Sequence, residues 1–341
     1  MMPVSMVGRA AELEELSRAW SDRAERRPAG PVVITGDGGM GKSLLVATGS
    51  AGFHPRPSAI LSGTARVHAP APYDWLAAVL SGRDTDVLPV PEDALAWLAQ
   101  DMAARGERYA PGALLRMAVR TVRALVADGP ALVVVEDLHA LDPASLNLVA
   151  ELAAATELPA LLVVTSRPPD AAVSPRLAAR TLARLAGAPG AVRQHLGPLG
   201  VADVSVILAE AFGRGLVSAR AATAVHQRTG GNPYWLREML ATSGAAGPDE
   251  LAAGPLPDHV RLDAHHRPAH HVRAAAPLTA REIDVLACLA AGMSNKQVAR
   301  SLGISPRTVT VHVSNLLRKT RSASRTEAAL WAVQHQVASP R

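Results

Sequence analysis

Gly36-Asp37-Gly38-Gly39-Met40-Gly41-Lys42-Ser43 satisfies the spacing G-x-x-x-x-G-K-S/T. Glycines at these intervals let successive backbone N–H groups converge on phosphate oxygens. A helix opening near Lys42 and running on through Leu44 turns its positive dipole end toward the same anion. Lys42 then reaches the β- and γ-phosphates, and the Ser43 hydroxyl can ligate Mg²⁺. Further along, Leu132-Val133-Val134-Val135 runs into Glu136-Asp137. A carboxylate at the tip of a buried strand can hold Mg²⁺ through water and orient an attacking water, so Lys42, Glu136 and Asp137 form the candidate catalytic set, and Ser43 with Asp137 the candidate metal ligands. Ser166-Arg167 ends another apolar run, and Arg167 can sense a terminal phosphate from the same sheet edge.

These residues need a scaffold that brings strand ends together. Pro31 to Thr35 is a short apolar run of buried-strand type directly before the glycines, and similar runs recur at 59–61, 131–135, 160–165 and 192–196 between helical patterns. Strands alternating with helices predict a mainly parallel α/β sheet with helices on both faces. The first helix is expected from Ala10 to about Arg26. Beyond Pro198 the strand signals stop, and 202–212, 217–228 and 233–241 read as three helices of a small subdomain. From Ser243 to Pro277 there is no apolar periodicity, which reads as a linker. Its histidines (His259, His265, His266, His270, His271) lack carboxylate or thiol neighbours and read as solvated, not metal-bound.

The chain of 341 residues is 48% hydrophobic and 19% charged, enough to bury real cores. Its net charge of +5 is unevenly placed: nine of the 35 basic and three of the 30 acidic residues lie from Leu278 to Arg341, giving +6 there and −1 elsewhere. That is the pattern of a nucleic-acid-binding module attached to a neutral body. The single cysteine, Cys288, excludes an internal disulfide, and no apolar run approaches the roughly 20 residues of a membrane span, so a cytoplasmic protein without membrane partners is expected. There is no internal repeat.

Val7-Gly8-Arg9 with Glu12-Leu13, the stretch Glu136 to Asp142, Ser166-Arg167-Pro168 and Thr229-Gly230-Gly231-Asn232-Pro233 together resemble the signalling ATPases of the STAND class. The resemblance implies that Val7, Gly8 and Arg9 line the adenine and that Arg167 reads the terminal phosphate. It also implies that the turn at Pro233 closes over the base, with ATP and Mg²⁺ as cofactors. Ala140 stands where such proteins commonly carry Trp.

Thr279, Ser294, Ser305 and Ser324 each precede an apolar periodic stretch, three of them with Glu or Gln three residues on. Four short helices follow, at about 280–291, 295–302, 306–319 and 325–336, with Leu302-Gly303-Ile304 as the turn of a helix-turn-helix. Ile283, Leu286, Leu289, Val298, Leu302, Val309, Val313 and Leu316 are the expected core face. Arg307, Thr310, Val311, Ser314 and Arg318 are left outward on the third helix, suited to the major groove of double-stranded DNA. The segment resembles the LuxR-type DNA-binding domain. That resemblance implies base-edge positions at Thr310, Val311 and Ser314, and phosphate-facing ones at Lys296, Thr308, Asn315 and Lys319. Thr310 and Ser314 stand where cationic residues often occur, and Thr320 replaces the usual Leu.

The expected fold is therefore an α/β P-loop NTPase with a mainly parallel sheet and a small helical lid, joined to an all-α four-helix helix-turn-helix domain. The expected boundaries are 1–198 for the α/β domain, 199–243 for the lid, 244–277 for the linker and 278–341 for the DNA-binding domain. The chain reads as a shortened relative of the large ATP-binding LuxR-type regulators. It would be a slow ATPase whose nucleotide state switches self-association, as a dimer or larger, and operator binding, with RNA polymerase a candidate contact. A DNA-tethered remodelling or motor ATPase is the alternative.

Overall fold

The computed structural model describes residues 6–64, 71–85, 87–100, 109–155, 157–213, 215–242, 244, 247–254, 280–290, 293, 295–305, 308–309, 312–313 and 316. Contacts divide the chain into two compact units, 1–261 and 262–341.

In the first unit, β1 (Val32–Thr35), β2 (Ile60–Gly63), β3 (Ala131–Val135), β4 (Ala160–Ser166) and β5 (Val192–His195) form one sheet in the order β2-β3-β4-β1-β5. Every pairing is parallel: Val163 lies between Val32 of β1 and Val134 of β3, Ala131 pairs Ala160 and Val135 pairs Val164. Parallel strands covered on both faces read as unbroken apolar runs, and all five residues of β3 are buried. Their alternation feeds two cores. Val33, Val133, Val135, Leu162 and Val164 pack with residues of α3 (Asp74–Leu80), α5 (Pro111–Leu125), α6 (Pro143–Ala154) and α7 (Pro175–Ala186). Val32, Ile34, Leu132, Val134, Leu161 and Val163 pack with α1 (Ala10–Ala24) and α2 (Lys42–Ala51), where Trp20 stacks on Phe53 at 4.9 Å. A short α4 (Glu92–Leu98) lies between α3 and α5 in the chain.

Asp142 ties the start of α6 to the start of α3. As N-cap of α6 its carboxylate accepts the N–H groups of Ala144 and Ser145, each at 2.9 Å, and those of Tyr73 and Asp74, each at 3.2 Å. Pro143 follows at the first helical position, where its missing N–H costs nothing.

After β5 come α8 (Val201–Phe212), α9 (Ala219–Thr229) and α10 (Pro233–Thr242), as the apolar spacing predicts. A fourth helix, α11 (Pro248–Ala253), lies inside the stretch expected to be linker. It is a correction: Pro248 opens it, Asp249 and Glu250 occupy its first turn, and Leu251 is buried against the small core of α8–α10. One apolar anchor on six residues leaves no periodicity to read. The five histidines of the expected linker lie outside the described residues.

In the second unit, α12 (Ala280–Ala290) and α13 (Asn295–Leu302) match the first two expected helices, and residues 308–309, 312–313 and 316 are helical. Val285, Leu286, Cys288, Leu289, Val298, Ala299, Val309 and Leu316 form the buried cluster. Ile283, expected on this face, is 37% exposed; Val285 is buried in its place. The fourth expected helix lies outside the described residues. Among the described residues no helix is long and apolar enough to cross a membrane.

Candidate functional site

Between Thr35 and Lys42 the chain turns in a tight loop. Gly39 and Gly41 take φ of +81° and +87°, which a side chain would strain. Lys42 opens α2, is 7% exposed, and donates from Nζ to the carbonyls of Gly36 at 2.7 Å and Asp37 at 2.8 Å. Burial lowers the pKa of its ammonium; Arg167 pushes the same way, while Asp137 and Asp37 pull it back up. Two further donors come from the start of α10. Asn232 Nδ2 donates to the Gly38 carbonyl at 3.0 Å, and the Tyr234 N–H donates to the Gly39 carbonyl at 3.2 Å. The carbonyls of residues 36 to 39 are thus all held. Among the described residues, the N–H groups of Gly38, Gly39, Met40 and Gly41 have no protein acceptor. Leu44, one turn into α2, is 41% exposed.

The acidic strand end faces this loop. Ser43 Oγ donates to Glu136 Oε2 at 2.6 Å, so it is Glu136 that meets the Ser43 hydroxyl. Asp137 adopts a left-handed backbone (φ +48°) and its N–H donates to Thr165 Oγ1 at 3.1 Å. Its carboxylate lies 3.8 Å from His139 Nδ1. His139 is 8% exposed, and its Nδ1 accepts the Arg167 N–H at 3.3 Å. Burial lowers the His139 pKa, with Arg167 and Lys42 pushing the same way and Asp137 pulling against them. From β4, the Arg167 guanidinium reaches the loop, 3.2 Å from where a Cβ on Gly38 would sit.

Lys42, Glu136, Asp137 and Arg167 thus converge as their spacing predicts. The spacing did not mark His139, which lies beside the acid and accepts the Arg167 backbone N–H, nor the direct contact of Asn232 with the loop. A cradle of unpaired N–H donors, an ammonium and a guanidinium suits a polyphosphate, and the Ser43–Glu136 oxygen pair beside Asp137 suits a hard divalent cation. The residues present therefore fit ATP with Mg²⁺.

Val7, Gly8 and Arg9 occupy a different flank. Gly8 (φ +73°) packs against the Asp203 carboxylate so closely that a Cβ would lie 2.7 Å from its Cγ. Arg9 is buried, pairs with Glu12 at 3.3 Å and donates to the Gly197 carbonyl. This segment is bonded to the chain joining β5 to α8, and Pro233 heads α10 over the loop.

Of the expected DNA-facing residues, Lys296 lies in α13 and Thr308 is exposed. Ser305 Oγ accepts the Thr308 N–H at 3.1 Å, the cap expected at the start of the third helix. Arg307, Thr310, Val311, Ser314, Asn315, Arg318 and Lys319 lie outside the described residues.

Comparison with known proteins assigns both ends. Over 60 residues the chain is 55% identical to the uncharacterized transcriptional regulatory protein YhcZ of Bacillus subtilis. It is 47% identical to the nitrate/nitrite response regulator protein NarL of Escherichia coli, also over 60 residues. Each match takes in 18% of this chain, and the chain spans only 28% of the length of these relatives. Among solved structures, a signal transduction ATPase with numerous domains and a tetratricopeptide repeat sensor from Pyrococcus horikoshii is 16% identical at a TM-score of 0.44, over 95% of this chain and 41% of that one. The Aeropyrum pernix ORC1 protein in complex with DNA is 14% identical at a TM-score of 0.46, over 93% and 85%. Family models match at residues 5–164, described as AAA ATPase domain, and at 276–332, described as bacterial regulatory proteins, luxR family. The chain thus carries an AAA ATPase domain followed by a LuxR-type helix-turn-helix domain.

Proposed function

We propose that this chain is an ATP-binding transcriptional regulator whose nucleotide state sets its self-association and its affinity for operator DNA. The observation that carries the reading is the cradle of unpaired N–H groups at 38–41, ringed by Lys42, the Ser43–Glu136 pair and Arg167, in a chain that also holds a luxR-family domain. Bound ATP supplies a cleavable terminal phosphoryl group, and Mg²⁺ supplies charge to its oxygens. Lys42 binds phosphate with the N–H that its two carbonyl contacts leave over. Ser43 and Asp137 hold the metal side, with Glu136 beside Ser43 to orient water. Arg167 reads the terminal phosphate, Val7 to Arg9 and Pro233 enclose the base, and Leu44 follows the loop.

At the other end, Thr310, Val311 and Ser314 face base edges in the major groove. Lys296, Arg307, Thr308, Asn315, Arg318 and Lys319 lie toward the phosphates and groove walls. Two such domains brought together by the ATP-bound form bind two half-sites with multiplied affinity. RNA polymerase is the candidate contact of the DNA-bound form, and the protein acts in the cytoplasm.

The test is operator affinity measured with ATP, with ADP and in Lys42→Ala. The switch requires at least a tenfold difference between ATP and either of the others. Equal affinities across the three overturn it. Fast turnover accelerated by DNA makes the chain a motor or remodelling ATPase instead.

A further inference from the structure

Asn232 does more than cap α10. Its Oδ1 accepts the Tyr234 N–H at 2.9 Å, the ordinary N-cap bond, while its Nδ2 crosses to the Gly38 carbonyl at 3.0 Å. The residue is 9% exposed. The fit is close: a Cβ on Gly39 would lie 2.6 Å from Asn232 Oδ1 and 2.8 Å from Tyr234 Cβ. On its own side the turn is anchored. The Leu199 N–H donates to the Gly231 carbonyl at 2.8 Å, and the Asn232 N–H donates to the Thr229 carbonyl at 3.2 Å.

In a trans peptide the C=O of one residue and the N–H of the next point in opposite directions. Holding the carbonyls of Gly38 and Gly39 on the α10 side therefore turns the N–H groups of Gly39 and Met40 the other way, and neither has an acceptor among the described residues. We propose that Asn232 is a positioning residue for the phosphate loop: it presets these N–H groups for the phosphates of a nucleoside di- or triphosphate. This rests on the nucleotide-binding reading above, and deepens it by giving the turn a role at the phosphates besides the one at the base.

Asn232→Ser separates the two bonds of this side chain. Serine keeps an N-cap acceptor for Tyr234 but is too short to donate to Gly38. Asn232→Thr keeps a cap acceptor, is too short to donate to Gly38 and adds no charge, and serves if the serine variant does not fold. Calorimetric titration of each with ADP, ATP and inorganic pyrophosphate, in Mg²⁺ buffer, gives the readout. The melting temperature without nucleotide is expected to fall by only the few degrees that one hydrogen bond is worth. Affinity for all three probes is expected to fall about tenfold, the scale of one preorganising hydrogen bond. Unchanged affinity for pyrophosphate, whether or not ADP weakens, overturns the proposal, because the turn then serves only the base. If the wild type binds none of the three, the nucleotide-binding reading itself fails. If it binds and the variants match it within twofold, only the role of Asn232 fails.

Discussion

His139 lies beside the acid at one strand end and accepts from the arginine that follows the next. Its Nδ1 accepts the Arg167 backbone N–H, and replacing it tests whether that bond sets the arginine. Asparagine offers an oxygen near the position of Nδ1, and alanine offers nothing. His139→Ala is expected to lose about tenfold in ATP affinity relative to ADP, since Arg167 is assigned to the terminal phosphate; His139→Asn is expected to keep most of it. Equal ratios in the two variants, by competitive titration, would remove His139 from this role. Tyr73 carries a pH prediction with a definite sign. Burial first, and the Asp142 carboxylate second, raise its phenol pKa above the ordinary 10. The folded state therefore holds its proton longer than the unfolded state does. The contribution is fully present below pH 10 and is lost as pH rises above it. Urea denaturation between pH 9 and 11 should show a steeper loss for the wild type than for Tyr73→Phe. The chemistry-bearing residues Lys42, Ser43, Glu136, Asp137 and Arg167 were legible because fixed spacing and strand-end position mark them. His139 and Asn232 were not, because their partners lie 28 and 194 residues away and only the packed sheet brings them within hydrogen-bond reach.

At the scale of elements, legibility followed length and periodicity. β1, β3 and β4 were visible as unbroken apolar runs because the inner strands of a parallel sheet are buried on both faces. The edge strands β2 and β5 are partly exposed and carry a weaker signal. α11 was not, because six residues with one buried leucine carry no pattern. Ile283 shows the same limit: three-residue spacing to Leu286 places it on the core face, yet the helix turns Val285 inward instead. The joint between α9 and α10 is the most constrained of these elements. Gly231 has φ +70°, and a Cβ there would lie 2.3 Å from the Leu199 carbonyl oxygen, a backbone atom that cannot swing aside. Gly231→Ala combines left-handed strain with a collision, and is expected to cost about 1–3 kcal/mol of stability. Since the same joint carries Asn232, ADP affinity should fall with it. Urea denaturation that leaves the midpoint unmoved would show that the joint adapts, and the tightness of this turn would then have no energetic weight.

At the scale of the whole chain, charge separates two ways in which nucleotide can act on DNA binding. The segment from Leu278 carries +6 and the remainder −1, so nearly all counterion release on DNA belongs to the second unit. If ATP brings two chains together on one operator, two such segments neutralise phosphates at once. The slope of log affinity against log salt should then be about twice as steep with ATP as with ADP. If ATP tightens a single bound chain, the affinity rises while the slope stays the same. Lys42→Ala should show the shallow slope under all nucleotides, because without nucleotide binding a single chain meets the DNA. Linkage adds a second constraint that does not depend on the assembly model. Whatever factor ATP applies to operator affinity, operator DNA must apply to ATP affinity at matched assembly state. The fragment 262–341 alone should bind DNA with the shallow slope and ignore nucleotide. A steep slope from that fragment would place self-association in the helix-turn-helix unit and leave the ATPase domain without the switching role proposed for it.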